Sequence, residues 1–231
     1  MPINFAQTSI VASRDGSHTL RNELSGEHYH SIFGAYTESM HVFAVAGLEA
    51  LQLEAGRPLR LLEVGLGTGL NALIAARYSA QHPMPIDYLA LEPYPVHHEQ
   101  LMQLNYADYV GAELLTAYQE AYPALLAGEP WEHGGFRLQV QQQKIEQWSA
   151  AALSFDLIFY DAFSPTSQAD MWDDAAIDRV AACLAPGGLL VTYCIRGHVR
   201  RHFMAQGLLA EKLPGPPGKR EMLRIKRPVH V

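Results

Sequence analysis

Leu61-Leu62-Glu63-Val64-Gly65-Leu66-Gly67-Thr68-Gly69 is the stretch whose reading decides the fold. An apolar run ends at an acid, and three glycines then alternate with other residues. The pattern predicts a buried strand over residues 60–64, a tight loop, and a helix over 71–81. Glycine admits positive φ and lets a ligand lie against bare backbone. The N-terminus of the following helix favours an anion. A dinucleotide fingerprint would read G-x-G-x-x-G. Here the third glycine comes one residue early, at Gly69, and Leu70 holds the place of the fingerprint's last glycine.

Apolar strands continue to alternate with helical patterns on both sides of this loop. Strands are predicted at 87–91, 137–141, 155–160 and 189–194. Helices are predicted at 37–54, 95–105, 111–126, 145–152, 174–184 and 197–206. Thr37 or Ser39 caps the first helix, and Val42, Val45, Ala46, Leu48, Leu51 and Leu53 supply its apolar faces. Pro186-Gly187-Gly188 reads as a turn, and Gly134-Gly135 as a break. Segments 208–213 and 222–226 read as a final antiparallel pair. Residues 1–30 read as short strands and turns. The alternation implies an α/β fold with a parallel sheet covered on both faces. Ligands in such sheets sit beyond the C-terminal ends of the strands, where Glu63, Glu92, Asp161 and Cys194 fall.

The 231 residues suit an N-terminal extension over 1–55 and a core domain over 56–231. No apolar run approaches the ~20 residues of a membrane span. The start, Met1-Pro2-Ile3-Asn4-Phe5, has no signal-peptide pattern. Cys183 and Cys194 are expected as buried thiols in a reducing, cytoplasmic setting. The net charge of −7 hides an asymmetry. Residues 196–231 hold nine Lys/Arg and two acids, whereas residues 1–195 hold eight and twenty-two. A basic end on an acidic body suits a directed polyanionic partner. Arg196, Arg200, Arg201, Lys219 and Arg220 are its candidate phosphate contacts.

Several side chains carry chemistry. Glu92, ending the second strand, is placed to accept both ribose hydroxyls of a nucleoside. Asp161 ends an apolar strand and opens Asp161-Ala162-Phe163-Ser164-Pro165. A carboxylate there can orient an amine and take its proton. Trp172 in Asp170-Met171-Trp172-Asp173 is either a base-stacking platform or core. His28-Tyr29-His30 puts two imidazoles on one face of a strand. A metal would need further ligands, so substrate contact or local hydrogen bonding is the expectation, and no metal is expected.

An acid two residues before G-x-G-x-G resembles motif I of class I S-adenosylmethionine (SAM) methyltransferases. The likeness narrows over most of the chain. It rests on Asp15-Gly16-Ser17-His18-Thr19-Leu20, Glu27-His28-Tyr29-His30-Ser31, Gly34-Ala35, Glu38-Ser39 and His41-Val42-Phe43. It continues through the D-A-F-S-P block, Asp170-Met171-Trp172, Pro186-Gly187-Gly188, Val199-Arg200-Arg201 and Lys219-Arg220-Glu221-Met222-Leu223. Together these resemble the methyltransferase half of the bifunctional tRNA wobble-uridine enzyme MnmC and its stand-alone relatives.

The resemblance implies a Rossmann-like, mostly parallel seven-stranded sheet with a C-terminal antiparallel strand pair and an N-terminal extension. It implies SAM-dependent methylation of the aminomethyl group of a 5-aminomethyl(-2-thio)uridine at the tRNA wobble position. Asp161 then lies beside the reacting amine. Glu63, Gly65, Gly67, Thr68, Gly69, Asn71 and Glu92 hold SAM. His30, Phe163, Pro165 and Trp172 contact substrate beside the cations already named. Where many such enzymes place an acid for the adenine, this chain has Gln141-Gln142-Gln143-Lys144, so Gln142 or Gln143 is the expected partner. The chain is too short for the FAD-dependent half, so coupling to a separate aminomethyl-forming enzyme is expected. The rival readings are a methyl or aminopropyl transferase acting on another small amine, an NAD-dependent oxidoreductase, and a silent tRNA-binding module.

Overall fold

The computed structural model describes residues 7–52 and 56–229. Residues 1–5, Leu53 and the expected boundary at 55 lie outside the described residues. Strands β1 (Thr8–Ala12) and β2 (His18–Asn22) pair antiparallel, from Thr8 opposite Asn22 to Ala12 opposite His18. Helix α1 (Ala35–Ser39) continues as a π-helical segment over Met40–Leu48.

Helix α1 starts earlier than the sequence predicts, and neither Thr37 nor Ser39 caps it. Its N-cap is Gly34, which has no side chain to offer. The cap comes from a distant turn. The N–H groups of Ala35, Tyr36 and Thr37 donate to Ser13 Oγ, Ser17 Oγ and Asp15 Oδ2 at 3.1, 3.0 and 2.9 Å. Burial works against the Asp15 charge, but hydrogen bonds from Ser17, Thr37 and Ser13 prevail and hold its carboxyl below the usual range. The Asp15-Gly16-Ser17 turn is therefore the helix cap, supplied from some twenty residues upstream.

The core follows as β3 (Leu59–Val64), α2 (Leu70–Gln81), β4 (Ile86–Leu91), α3 (His98–Leu101), α4 (Ala107–Val110), α5 (Ala112–Leu126), β5 (Trp131–His133) and β6 (Phe136–Gln141). It ends with β7 (Phe155–Tyr160), α6 (Asp174–Cys183), β8 (Leu184–Thr192), α7 (Gly197–Ala205), β9 (Leu209–Pro214) and β10 (Glu221–Lys226). The strands form one sheet in the order β5-β6-β4-β3-β7-β8-β10-β9. Strands β6, β4, β3, β7 and β8 are mutually parallel, and β10 runs antiparallel between β8 and β9.

Three local expectations are corrected. The sheet has eight strands, because Trp131–His133 pairs antiparallel with β6 across Gly134-Gly135. Three residues are too few for periodicity to show. Residues 145–152 form turns, not a helix; Ile145 and Trp148 are buried under the sheet as isolated anchors. Pro186-Gly187-Gly188 lies inside β8, where its pairing with β7 jumps from Leu184 to Leu189. That bulge adds residues without ending the strand.

Alternation along β3 sends side chains to two covered faces. Leu59 and Leu61 join the cluster under α2 and α5, whereas Leu62 and Val64 join the one under α6 and α7. Glu63 follows Leu61 onto the α2 face and is wholly buried. At the other end of the sheet Asp156 accepts bidentate pairs from Arg57 and Arg60, at 2.7 and 2.8 Å. This clamp ties β7 to β3. Successive strands are added on one side of β3 as β4 and β6 and then on the other as β7 and β8, so the crevice opens past Val64, Leu91 and Tyr160.

Candidate active site

Gly65, Gly67 and Gly69 have φ of 94°, 53° and 79°. A Cβ on Gly65 would stand 2.7 Å from the Asp161 carbonyl oxygen, and one on Gly69 would overlap the Tyr118 hydroxyl. Those two glycines are required by protein packing. Gly67 differs: its missing Cβ faces the Tyr29 ring at 3.1 Å on the side of a cavity of about 410 Å³. The loop and Glu92 bound this cavity on one side, residues 161–164 on another, and residues 26–33 cover it.

Glu92 follows β4. Its Oε2 accepts the Gly67 N–H and its Oε1 the Tyr94 N–H, both at 2.9 Å. Burial raises the proton affinity of this carboxyl, and the amides of Gly67, Tyr94 and Leu66 oppose that shift. Three amides on roughly four lone-pair sites leave the carboxylate an acceptor site for a ligand hydroxyl. Bare backbone at Gly67, a helix N-terminus behind it and a carboxylate beside the loop together fit the amino-acid and ribose ends of SAM. Glu63, Thr68, Gly69 and Asn71, expected beside them as cofactor ligands, do not line the cavity. All four are buried.

Asp161 extends β7, its N–H donating to the Val64 carbonyl at 3.0 Å. Its Oδ2 accepts a hydrogen bond from Asn71 Nδ2 at 2.8 Å, and the same nitrogen donates to Glu63 Oε1 at 2.9 Å. Burial pushes the Asp161 carboxyl well above the usual range; Glu63 and Glu38 add to this, and Asn71 and Lys219 oppose it. Burial pushes Glu63 up to about 8. A carboxyl of raised proton affinity facing a cavity is what proton removal from an ammonium requires.

The N-terminal segment builds a wall of the site. Glu27 accepts the Ser164 hydroxyl, and the Tyr29 ring meets Phe163 edge-on at 4.9 Å. His30 is 6% exposed, and its Nε2 pairs with Thr68 Oγ1 at 3.0 Å. Thr68 also meets the Tyr106 hydroxyl at 2.8 Å. Burial lowers His30 to about 4, so its imidazole is neutral near pH 7. Glu38, on α1, accepts the Ser31 N–H at 2.7 Å and pairs with the Lys219 ammonium, which lies 3.9 Å from the Tyr193 ring centre.

Phe163, His30 and Lys219 line the cavity as expected of substrate contacts. Trp172 does not: it is buried against Tyr160, and its Nε1 donates to the Phe163 carbonyl at 2.7 Å. It is core, and it supports the backbone beside Asp161. Gln143 is exposed and away from the cavity, while the Gln142 side chain donates to the Leu126 carbonyl at 2.6 Å. The turn after β6 carries both glutamines outward. Glu38, Gln168, Met171 and Tyr193 line the cavity and were missed. They lie on a helix, a short 3₁₀ turn and loops, where periodicity carries no site signal. Tyr29 sits between the two histidines singled out, and its position was legible there.

A groove of about 480 Å³ adjoins the cavity, sharing Ser164, Tyr193 and Lys219 with it. Pro165, Arg196 and Arg220 line it with Cys194 and Ile195. The basic end divides accordingly. Arg224 pairs with Glu211 and Lys212 with Glu221, each at 2.8 Å, zipping β9 to β10. Arg227 caps the Ala181 carbonyl at 2.7 Å. Arg196 reaches Thr166 Oγ1 at 2.8 Å, and Arg220 is exposed. Arg200 and Arg201 lie on α7 and line neither the cavity nor the groove. Cys183 and Cys194 are buried free thiols.

Known proteins agree with this geometry. An S-adenosyl-L-methionine-dependent methyltransferase family model matches residues 111–228. The bifunctional tRNA 5-methylaminomethyl-2-thiouridine biosynthesis protein MnmC of Cupriavidus metallidurans is 32% identical over 84% of this chain and 30% of its own length. The MnmC protein of Azoarcus sp. BH72 is 31% identical over 97% of this chain and 36% of its own length. The chain thus spans about a third of the curated relatives it matches. The crystal structure of MNMC2 from Aquifex aeolicus superposes with a TM-score of 0.80 at 22% identity, covering 97% of this chain and 72% of that one. Spermidine synthase from Thermotoga maritima shares the fold more loosely, with a TM-score of 0.53 at 12% identity over 95% of this chain and 68% of that one. A glycine loop with bare Gly67, the Glu92 carboxylate beside it in the cavity and a family match over half its length lead to one conclusion: the chain belongs to the S-adenosyl-L-methionine-dependent methyltransferases.

Proposed function

We propose that this chain methylates the primary amine of 5-aminomethyl(-2-thio)uridine at the wobble position of tRNA. Bound SAM supplies an electrophilic methyl group. Gly65 and Gly67 hold its amino-acid end and Glu92 its ribose. Asp161 accepts a proton from the substrate ammonium and orients the neutral amine toward the methyl. Arg196 and Arg220, in the adjoining groove, meet phosphates flanking the flipped-out nucleotide. A separate enzyme generates the aminomethyl group, and the setting is the cytoplasm, where tRNA is.

One observation carries the reading. Asp161, with its raised proton affinity, faces a cavity that continues into a groove lined by Arg196 and Arg220. The kinship with the MnmC proteins supports the choice of substrate. Three cations, Arg196, Lys219 and Arg220, against one acid, Glu221, line that groove, a balance that favours a polyanion over the polyamine of an aminopropyl transferase. An NAD enzyme would want glycine at Leu70, which is instead wholly buried at the start of α2.

The test is SAM-dependent methylation of tRNA carrying 5-aminomethyl-2-thiouridine, read by mass spectrometry of its nucleosides. Wild type should yield the methylaminomethyl product. Asp161→Asn should bind SAM normally by calorimetry while turnover falls roughly 10²–10⁴-fold. No product from the wild type on this tRNA would refute the substrate assignment.

A further inference from the structure

One nitrogen, Asn71 Nδ2, donates to two carboxylates on different strands, Glu63 Oε1 at 2.9 Å and Asp161 Oδ2 at 2.8 Å. Only Asp161 reaches the cavity. Glu63 and Asn71 are sealed beneath it, 0% and 2% exposed. Glu63 therefore has no ligand to bind. An ionisable group is nevertheless kept in the interior at a desolvation cost that a glutamine would avoid. The shared hydrogen bond places the two carboxylates within the ~4–6 Å over which like charges disfavour each other's ionisation.

We propose that Asn71 and Glu63 are positioning residues for Asp161: the amide fixes its carboxylate toward the cavity, and the second carboxylate couples its protonation to their shared hydrogen bond. This rests on the reading of Asp161 as the acceptor of the substrate's proton. One proton moves from the ammonium to Asp161. The freed lone pair forms the N–C bond, and the electrons of the broken C–S bond return to sulfur. Glu63 itself loses and gains nothing in that step. It keeps the pair from carrying two full charges, so Asp161 is a readier proton acceptor than an isolated carboxylate.

Other groups face the pair. Around Asp161 stand Glu38 from α1, Lys219 from the β9–β10 loop, Tyr88 from β4 and Tyr193 after β8. Around Glu63 stand Tyr88, Tyr118 from α5, and Glu92. The phenols are held neutral by burial. Lys219 is matched by Glu38. Glu92 is anchored by backbone amides. Glu63 is the carboxylate that shares a donor with Asp161.

The test is a ¹³C-carboxyl NMR titration of Asp161 in the protein without SAM or tRNA, the signal being assigned by its loss in Asp161→Asn. Wild type should show a two-step curve of coupled sites. Glu63→Gln should collapse it to one step at least about one pH unit lower, and Asn71→Ala should move it upward by removing the donor. In turnover assays the acid limb should move with the NMR curve in both variants, with SAM affinity unchanged. An Asp161 curve unmoved in Glu63→Gln, or in Asn71→Ala should the first variant fail to fold, overturns the proposal. So does a curve that moves while the rate profile stays. Absence of wild-type methylation would instead sink the substrate reading and leave the apoprotein titration standing.

Discussion

Lys219→Ala separates a structural cation from a tRNA contact. Its side chain is 32% exposed and that of its partner Glu38 is 7% exposed. Removing the ammonium leaves Glu38 with the Ser31 N–H at 2.7 Å as its other hydrogen-bond donor. Breaking a fully buried pair costs about 3–5 kcal/mol, and a hydrogen bond to a charged group contributes about 1.5–3 kcal/mol. One end here is a third exposed, so the lower range applies, and a loss of about 2 kcal/mol is expected. For a chain of this size that is about 4–8 °C in Tm. Urea unfolding of Lys219→Ala, Glu38→Gln and the double variant would measure it. The two single losses should be strongly non-additive. Lys219 also lowers the proton affinity of Asp161. Its removal should move the acid limb of turnover to higher pH. Unfolding curves that superpose on wild type, with a tRNA salt slope flattened by one phosphate contact, would refute the structural role.

Arg196→Ala with Arg220→Ala should raise the KM for tRNA and flatten its log–log salt slope by about 0.7–0.9 per lost contact, with SAM affinity unchanged by calorimetry. Gly69→Ala combines an unfavourable φ of 79° with overlap of the Tyr118 hydroxyl; soluble yield and Tm should both fall, by on the order of 3 kcal/mol in stability. Gly67→Ala, strained at φ 53° and 3.1 Å from the Tyr29 ring, should lower SAM affinity by calorimetry and also cost some stability in the same melts. Asp15→Ala should cost about 2–3 kcal/mol in urea unfolding, since it strips a cap and hydroxyl partners from α1. His30 is lowered by burial from 6.5 to about 4; its stabilising contribution is complete above pH 6.5 and is lost as pH falls toward 4. Glu63 is raised from 4.5 to about 8, so its contribution is complete below pH 4.5 and is lost as pH rises toward 8. Glu63→Gln should flatten the alkaline side of the stability curve and His30→Gln the acid side, both read by unfolding at stepped pH.

What the sequence by itself determined follows from local rules. The run into Gly65, Gly67 and Gly69 predicts a strand, loop and helix because glycine spacing and apolar length act within a few residues. Glu92 and Asp161 were legible because each is an acid at the end of an apolar strand, where a parallel sheet opens. The antiparallel β9–β10 pair was legible from two short apolar stretches and a Pro/Gly-rich joint. The tertiary structure decided whatever depends on which face a side chain takes and what it meets there. It turned Glu63 and Asn71 inward, because alternation along β3 and the first turn of α2 aim both beneath the loop. It sent Trp172 to the core and Gln143 to the surface. It gave α1 a cap from Asp15, Ser13 and Ser17, and it paired Lys219 with Glu38 across 181 residues. Long-range pairs of this kind leave no periodic trace, since their cost and gain appear only when distant segments are desolvated together. For that reason Glu63 and Asn71, hydrogen-bonded together behind Asp161, read in the sequence as cofactor ligands.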